Sequence, residues 1–286
     1  MTTCRSVLPA WMLASVLLAL CLISGPALAG SRLLATGGVS QIEGAAGGGL
    51  SPWGVLAGNA SEGELAATAF ASVAPLRDYR LTVGGVALNL HDRLELSLAR
   101  QRLDLDTLGG RLEQQVAGAK LRLVGDLIYH PWGIWSLGVQ HKQLEDGTLP
   151  LAVGATSTRG SDIYLSGSKL LLAAVAERNL LLNLTLRSTS ANQGGLLGFG
   201  GDREGGRSLV AEGAAGMFLT RRWVVGAEYR QMPDNLSFAR EDDWRSLYSA
   251  YFFSPHLSLT AAALDLGSIA GLERQRGGYL SIQFAF

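Results

Sequence analysis

Residues 178–187 read RNLLLNLTLR, and the parity of that decapeptide decides the fold. Leu180, Leu182, Leu184 and Leu186 share one parity, while Asn183, Thr185 and Arg187 share the other. Successive side chains of a β-strand point to opposite faces, so the segment reads as a strand with one apolar and one polar face. Residues 92–100 repeat the pattern, with Leu94, Leu96 and Leu98 opposed to Arg93, Glu95 and Ser97. So do Ala117, Ala119, Leu121 and Leu123 against Lys120 and Arg122, and Trp135, Leu137 and Val139 against Ser136 and Gln140. Trp223, Val225, Ala227 and Tyr229 stand in the same way against Glu228 and Arg230.

A soluble sandwich shows the same alternation, so further features are needed. The segments run to about 10–13 residues, near the length of a tilted strand that crosses a bilayer and longer than the usual strand of a soluble sheet. Aromatic residues fall near segment ends, where Tyr79, Tyr129, Trp132, Trp223, Trp244 and Tyr279 would form interfacial girdles. The chain ends in GGYLSIQFAF, with Leu280, Ile282, Phe284 and Phe286 on one face. A terminal Phe on an amphipathic last strand resembles the signal read by the outer-membrane assembly machinery of bacteria, which makes Phe286 a candidate assembly signal. The expected fold class is all-β, an antiparallel transmembrane β-barrel.

Composition agrees. The 286 residues hold 37 Gly against 8 Pro, and Gly at that density disfavours a helical bundle. Twenty-four basic and 24 acidic side chains balance, so no nucleic acid or other polyanion partner is implied. Arg5 followed by the apolar run MLASVLLALCLI (12–23) and Ala27-Leu28-Ala29 reads as a secretory signal peptide over residues 1–29. Both cysteines, Cys4 and Cys21, lie in that segment, which leaves the remainder without a Cys-based metal site or disulfide. The expected location is the bacterial outer membrane, and the expected partners are its lipid and lipopolysaccharide.

Connection lengths give the strand count. Working back from Phe286, long connections at 268–277, 233–243, 189–206, 144–160 and 104–113 alternate with short ones at 254–256, 220–222, 175–178, 126–131 and 90–92. Only 75–78 is short where a long one belongs. Twelve strands between residues 64 and 286 result, with the N-terminus on the side of the short turns. Residues 30–63, which include the glycine-rich run 44–49, remain outside the count. They would plug the lumen, or add a hairpin and make fourteen strands. The run lacks the Gly-Lys-Ser/Thr ending and strand-to-helix setting of a phosphate loop.

Several long motifs carry a family resemblance: TGGVSQIEGAAGGGL and PWGVLAG near the start, then ELSLARQRLD, NQGGLLGFGGD, VGAEYRQMPDNLSFAREDDW and DLGSIAG. With them the chain resembles a proteobacterial family of exported proteins known as a domain of unknown function. The resemblance spans nearly all of the chain beyond the signal segment. It implies an outer-membrane protein without an assigned activity, and it brings no catalytic residues.

Searching for chemistry yields little. His91, His130, His141 and His256 have no metal-binding spacing. No His-x-Ser-Asn or Gly-x-Ser-x-Gly arrangement appears, so no Ser–His pair can be assembled and no enzyme, metal or cofactor is expected. Arg93, Glu95, Lys120, Arg122, Arg187, Glu228 and Arg230 take the polar parity and are expected to charge the lumen, with a basic tilt that hints at anions. Two loops stand out. Asp234, Asn235, Arg240, Glu241, Asp242, Asp243 and Trp244 would gate the mouth, hold a divalent cation, bridge lipopolysaccharide phosphates, or form a solvated loop of ion pairs. NQGGLLGFGGDRE (192–204), with Asp202 and Arg203 at its polar end, would fold inward as a constriction or remain a surface loop. The function these features favour is a passive channel for small solutes, the solute itself unidentified; the competing reading is a non-conducting structural or surface-interaction barrel.

Overall fold

The computed structural model describes residues 37–286, and the expected signal segment lies outside the described residues. Twelve antiparallel strands close into a barrel. They are β1 (Leu65–Pro75), β2 (Tyr79–Leu90), β3 (Leu94–Leu105), β4 (Arg111–Gly125), β5 (Ile134–Leu144) and β6 (Arg159–Val175). Then follow β7 (Arg178–Thr189), β8 (Ser208–Thr220), β9 (Trp223–Arg230), β10 (Trp244–Ser254), β11 (Leu257–Asp265) and β12 (Arg276–Ala285). β12 pairs with β1, Leu280 opposite Val73 and Ala285 opposite Thr68. Phe286 extends that seam through backbone bonds of 2.8 and 3.0 Å with Ala67. Closure leaves no strand edge exposed, which a barrel in lipid requires.

Long and short connections alternate except at the start of the barrel, where only residues 76–78 join β1 to β2 and 106–110 join β3 to β4 on the side that otherwise carries the long loops. One end carries the tight turns and the terminal residue; the other carries the long loops, and these are called here the terminal end and the loop end. The fourteen-strand alternative does not form. Instead, Val39–Ser40 and Ala46–Gly47 pair with each other, apart from the barrel wall. The tight turns at the terminal end use left-handed backbone, with φ of 57° at His91 and 52° at Asp92. β6, at 17 residues, outruns the expected length because the register slips between Leu171 and Val175.

Parity sorts the faces as expected. Leu98 and Leu184 point outward, 60% and 52% exposed, while Glu95, Thr185 and Arg187 are buried inside. An exterior studded with leucine, around a polar interior, is the arrangement of a barrel whose solvent is lipid. The girdle is a partial match. Tyr129, Trp132 and Trp223 are exposed, but Tyr79, Trp244 and Tyr279 have the inward parity and are buried. Each has found an interior partner: the Tyr79 hydroxyl donates to Ile269 O at 3.0 Å, Tyr279 Oη lies 3.1 Å from Ser72 Oγ, and Trp244 stacks under Arg230 at 5.5 Å.

The lumen is stratified. An apolar cluster that includes Leu103, Leu196, Leu236 and Ile269 fills the loop end, and another with Trp53, Leu127, Phe218 and Phe252 fills the terminal end. Between them lies a layer of polar and charged side chains.

Candidate functional site

Residues 37–60 occupy the lumen. Gln41, Glu43, Ser51, Val55 and Leu56 are nearly inaccessible to solvent. A chain segment inside a barrel must satisfy its own backbone groups, because little water reaches it. Inward side chains of the wall do so. Asn89 Nδ2 donates to Ala57 O at 3.0 Å, Ser136 Oγ to Gly54 O at 2.6 Å, and Thr185 Oγ1 to Pro52 O at 2.7 Å. Lys120 Nζ donates to the carbonyls of Ala46, Trp53 and Val55 at 2.9, 3.2 and 2.8 Å. Its charge partner is Glu95 at 3.3 Å, whose carboxylate accepts the N–H groups of Ala46 and Ala57.

The glycine-rich run has a specific task. The Glu228 carboxylate accepts backbone N–H bonds from Gly49 at 2.9 Å, Leu50 at 3.1 Å and Ser51 at 3.4 Å, and a hydroxyl bond from Ser51 at 3.1 Å. Successive backbone donors around one anion form a nest. A Cβ at Gly48 would overlap that carboxylate, so only Gly lets the chain come this close. The run captures an anion that the barrel itself supplies.

Glu43 is the centre of the charged layer. It is paired with Lys142 at 2.6 Å, Arg230 at 2.7 Å and Arg187 at 3.1 Å. Asp162 joins Lys142 at 2.8 Å and Arg187 at 3.2 Å, and Glu212 meets Arg187 at 2.5 Å. Buried charges are costly alone and tolerable only when paired and hydrogen-bonded. This network satisfies that condition by drawing Glu43 from the plug and the remaining members from the wall. Cavities between plug and wall are about 20–30 Å³, room for about one water molecule.

The loop end is closed by the two loops singled out in the sequence. Asn192, Gln193, Leu196, Leu197 and Phe199 are buried whereas Asp202, Arg203 and Glu204 are exposed, so residues 192–201 of the loop fold inward and its polar end stays outside. Gly194 O accepts from Lys142 Nζ at 3.1 Å and Gln114 Nε2 at 3.2 Å. Gly194 and Gly195 have φ of 68° and 105°, a turn that favours glycine. The second loop bonds to the first: Arg203 pairs with Asp234 at 2.5 Å, and Asn235 Nδ2 donates to Asn192 Oδ1 at 2.9 Å. Asp202 accepts the Ser237 N–H at 2.9 Å. Asp242 accepts Ser268 N–H at 2.9 Å, and Asp243 accepts the Tyr229 hydroxyl at 2.5 Å. Arg240 is exposed. Glu241 is buried, with Oε2 accepting Gln193 N–H at 2.9 Å and Oε1 unpartnered among the described residues. Burial pushes its carboxyl up to about 8.

The family model described as a protein of unknown function, DUF3034, matches residues 36–283. The chain belongs to DUF3034. No curated protein matches it. Among solved structures it is similar to the outer membrane protein Omp33 of Acinetobacter baumannii, at 8% identity over 79% of this chain and 99% of that one, TM-score 0.44. It is also similar to the KdgM porin, at 10% identity over 77% and 99% of the two chains, TM-score 0.46. The outer membrane phospholipase A of Escherichia coli is similar at 8% identity over 79% and 96%, TM-score 0.35. The architecture of the DUF3034 chain rests on its own strand pairing.

Five of the seven residues expected in the lumen are there: Glu95, Lys120, Arg187, Glu228 and Arg230. Arg93 is not, because it belongs to the β2–β3 turn and is exposed. Arg122 sits at the terminal mouth, half-buried, paired with Asp92. The sequence reading missed Lys142, Asp162 and Glu212, although each has the inward parity of its strand. Glu43 had no such signal, since it precedes the wall. With these included, Lys120, Lys142, Arg187 and Arg230 face Glu43, Glu95, Asp162, Glu212 and Glu228. The basic tilt disappears, and acids exceed bases by one in this layer of the described residues.

The DUF3034 chain does bring one serine to a histidine. His141 and Ser161 lie opposite each other on β5 and β6, Nδ1 to Oγ 2.9 Å, facing outward. No sequence motif announces this pair, because only strand register makes it. A nucleophile and base at that distance also need a group that orients the base and donors for an oxyanion. The nearby Arg207 spends its donors on Ser161 O, Ser188 O and Ser188 Oγ. Directly opposed residues of neighbouring strands touch in any antiparallel sheet, and that accounts for this contact. No group of metal ligands forms among the described residues.

Proposed function

We propose that the protein is a barrel of the bacterial outer membrane whose lumen is closed at rest by its own residues 37–60, and that small solutes pass only when this segment withdraws. The observation that carries the reading is the bonding of Glu43 and of the 49–51 backbone to the wall. It turns the segment from a loose tail into a fitted stopper. Both ends of the segment lie at the terminal end. Asn59 Nδ2 donates to Pro255 O at 2.8 Å in the β10–β11 turn, and Gly37 and Gly58 line a cleft with the same turn. The segment therefore runs in and back through one mouth and can leave by that mouth without threading. A fitted stopper favours gated passage over the standing pore of the simpler expectation.

Planar-bilayer recordings test this directly. The full chain should be silent, and a variant with 41–57 replaced by a short Gly/Ser linker should conduct steadily. Steady conductance of the full chain would refute closure by the plug. Silence of both would favour the non-conducting barrel that acts through its loops.

A further inference from the structure

Five inward residues on successive strands form an arc of alternating charge. Lys142 of β5 meets Asp162 of β6 at 2.8 Å, and Asp162 meets Arg187 of β7 at 3.2 Å. Arg187 meets Glu212 of β8 at 2.5 Å, and Glu212 meets Arg230 of β9 at 3.7 Å. Each acid is shared by the cations on either side, so the arc begins and ends on a cation. Three cations against two acids leave one positive charge over, and the carboxylate that balances it comes from outside the wall. That carboxylate is Glu43, with Oε1 on Lys142 and Arg230 and Oε2 on Arg187.

The wall itself orients these cations. The Tyr164 and Trp244 rings lie 5.3 and 5.5 Å from the guanidinium carbons of Arg187 and Arg230, and Gln140 Oε1 accepts from Arg187 Nη1 at 2.8 Å. Guanidinium groups held in place offer a carboxylate their planar fork at little ordering cost. Stability alone does not call for the arc, because a buried ion network is often no better than apolar packing of the same volume. Apolar clusters already fill the lumen on both sides of this layer. Rings of Arg and Lys are the means by which pores select anions. The other inward charges stand apart from the arc: Lys120 is paired with Glu95, and Glu228, one inward position nearer the terminal end, has a wall donor in Ser246 Oγ at 3.3 Å.

We propose that the arc is the lumen's binding site for the carboxylate of a small monoanionic solute, and that Glu43 occupies it as a built-in substitute while the stopper is seated. The inference names the solute class for the gated passage above and rests on that reading, because only withdrawal of residues 37–60 frees the site. Charge sets the stoichiometry, since one monoanion neutralises the arc. Geometry sets the class: the site already holds a carboxylate by both oxygens through charge-assisted bonds.

Two measurements test it, with acetate as the probe. Glu43→Ala in the full chain removes a methylene and a carboxylate, the groups that acetate returns. In detergent, sodium acetate should raise the unfolding midpoint of this variant by about 5 °C over sodium chloride at equal ionic strength, and should move wild type by less than about 1 °C. Adding Lys142→Gln brings the arc to two cations against two acids and should abolish the gain. Heat-modifiable mobility in gels checks that each variant is a closed barrel; if Glu43→Ala folds poorly, acetate during refolding should restore the yield. An equal gain from chloride would mean screening, an equal gain from phosphate would overturn the carboxylate as ligand, and no gain from acetate would overturn the site. In planar bilayers, acetate should half-block the chloride current of the barrel with the 41–57 linker at about 10 mM, and Lys142→Gln should raise that concentration about tenfold. A conducting barrel that acetate does not block would overturn this inference alone. A silent barrel whose Glu43→Ala parent still gains from acetate would sink the gated passage, and with it the solute, while leaving the arc a purely structural site.

Discussion

Arg187 shows what one inward residue does in this lumen. Its guanidinium serves Glu43, Asp162 and Glu212 at once, fully buried, with the Tyr164 ring 5.3 Å below it. Arg187→Met would leave Glu212 with Arg230 alone, at 3.7 Å, while Glu43 and Asp162 keep Lys142, and losing one partner of a buried ionic group costs ~3–5 kcal/mol. Reversible urea unfolding in micelles should show that loss, and the Arg187→Met/Glu212→Met double variant should recover part of it. A single-variant cost under about 1 kcal/mol would mean that water relaxes the layer. At this scale parity made most of the site legible. Lys120, Arg187, Glu228 and Arg230 could be placed inside from their strands alone, whereas Arg93 failed because a turn has no parity. Glu43 was illegible for the opposite reason, since nothing in TGGVSQIEGAAGGGL says that its one acid will meet three cations from distant strands.

Among the elements, the inward loops at the loop end carry a titratable latch. Burial holds the Glu241 carboxyl near pH 8, with Asp234 adding to the upward push and Arg230 opposing it. The native state therefore keeps a proton that an unfolded loop releases near the ordinary carboxylate value. Its contribution to closure is complete at acid pH and is lost as pH rises through about 8. Because the opened loop ionises above about 4.5, trypsin cleavage at exposed Arg240 should already be faster in wild type than in Glu241→Gln at pH 6, and the gap should widen to pH 9. Equal rates at both pH values would count against the latch. Strand number and the alternation of connections were legible because turn chemistry and period two are local. Whether residues 192–204 fold in or out was not, since the answer depends on Lys142 and Gln114 reaching Gly194 O from the facing wall.

At the scale of the whole molecule, the filled lumen is the main departure from an open pore. A barrel of twelve strands encloses a narrow space, and here polar wall residues bond a single chain segment throughout its length while apolar clusters seal both ends. Such a stopper needs no second protein. Only residues 61–64 separate it from β1, and a tether that short sets a local concentration in about the millimolar range. Closure is then a property of each copy and does not depend on how much protein the membrane holds. A synthetic peptide of residues 37–60, added at micromolar concentration to the barrel with the linker replacement, should leave its conductance unchanged. Block at that concentration would show that affinity alone, without tethering, keeps the lumen shut. Any regulator of the barrel would therefore have to act on the stopper in place, because dilution cannot release it.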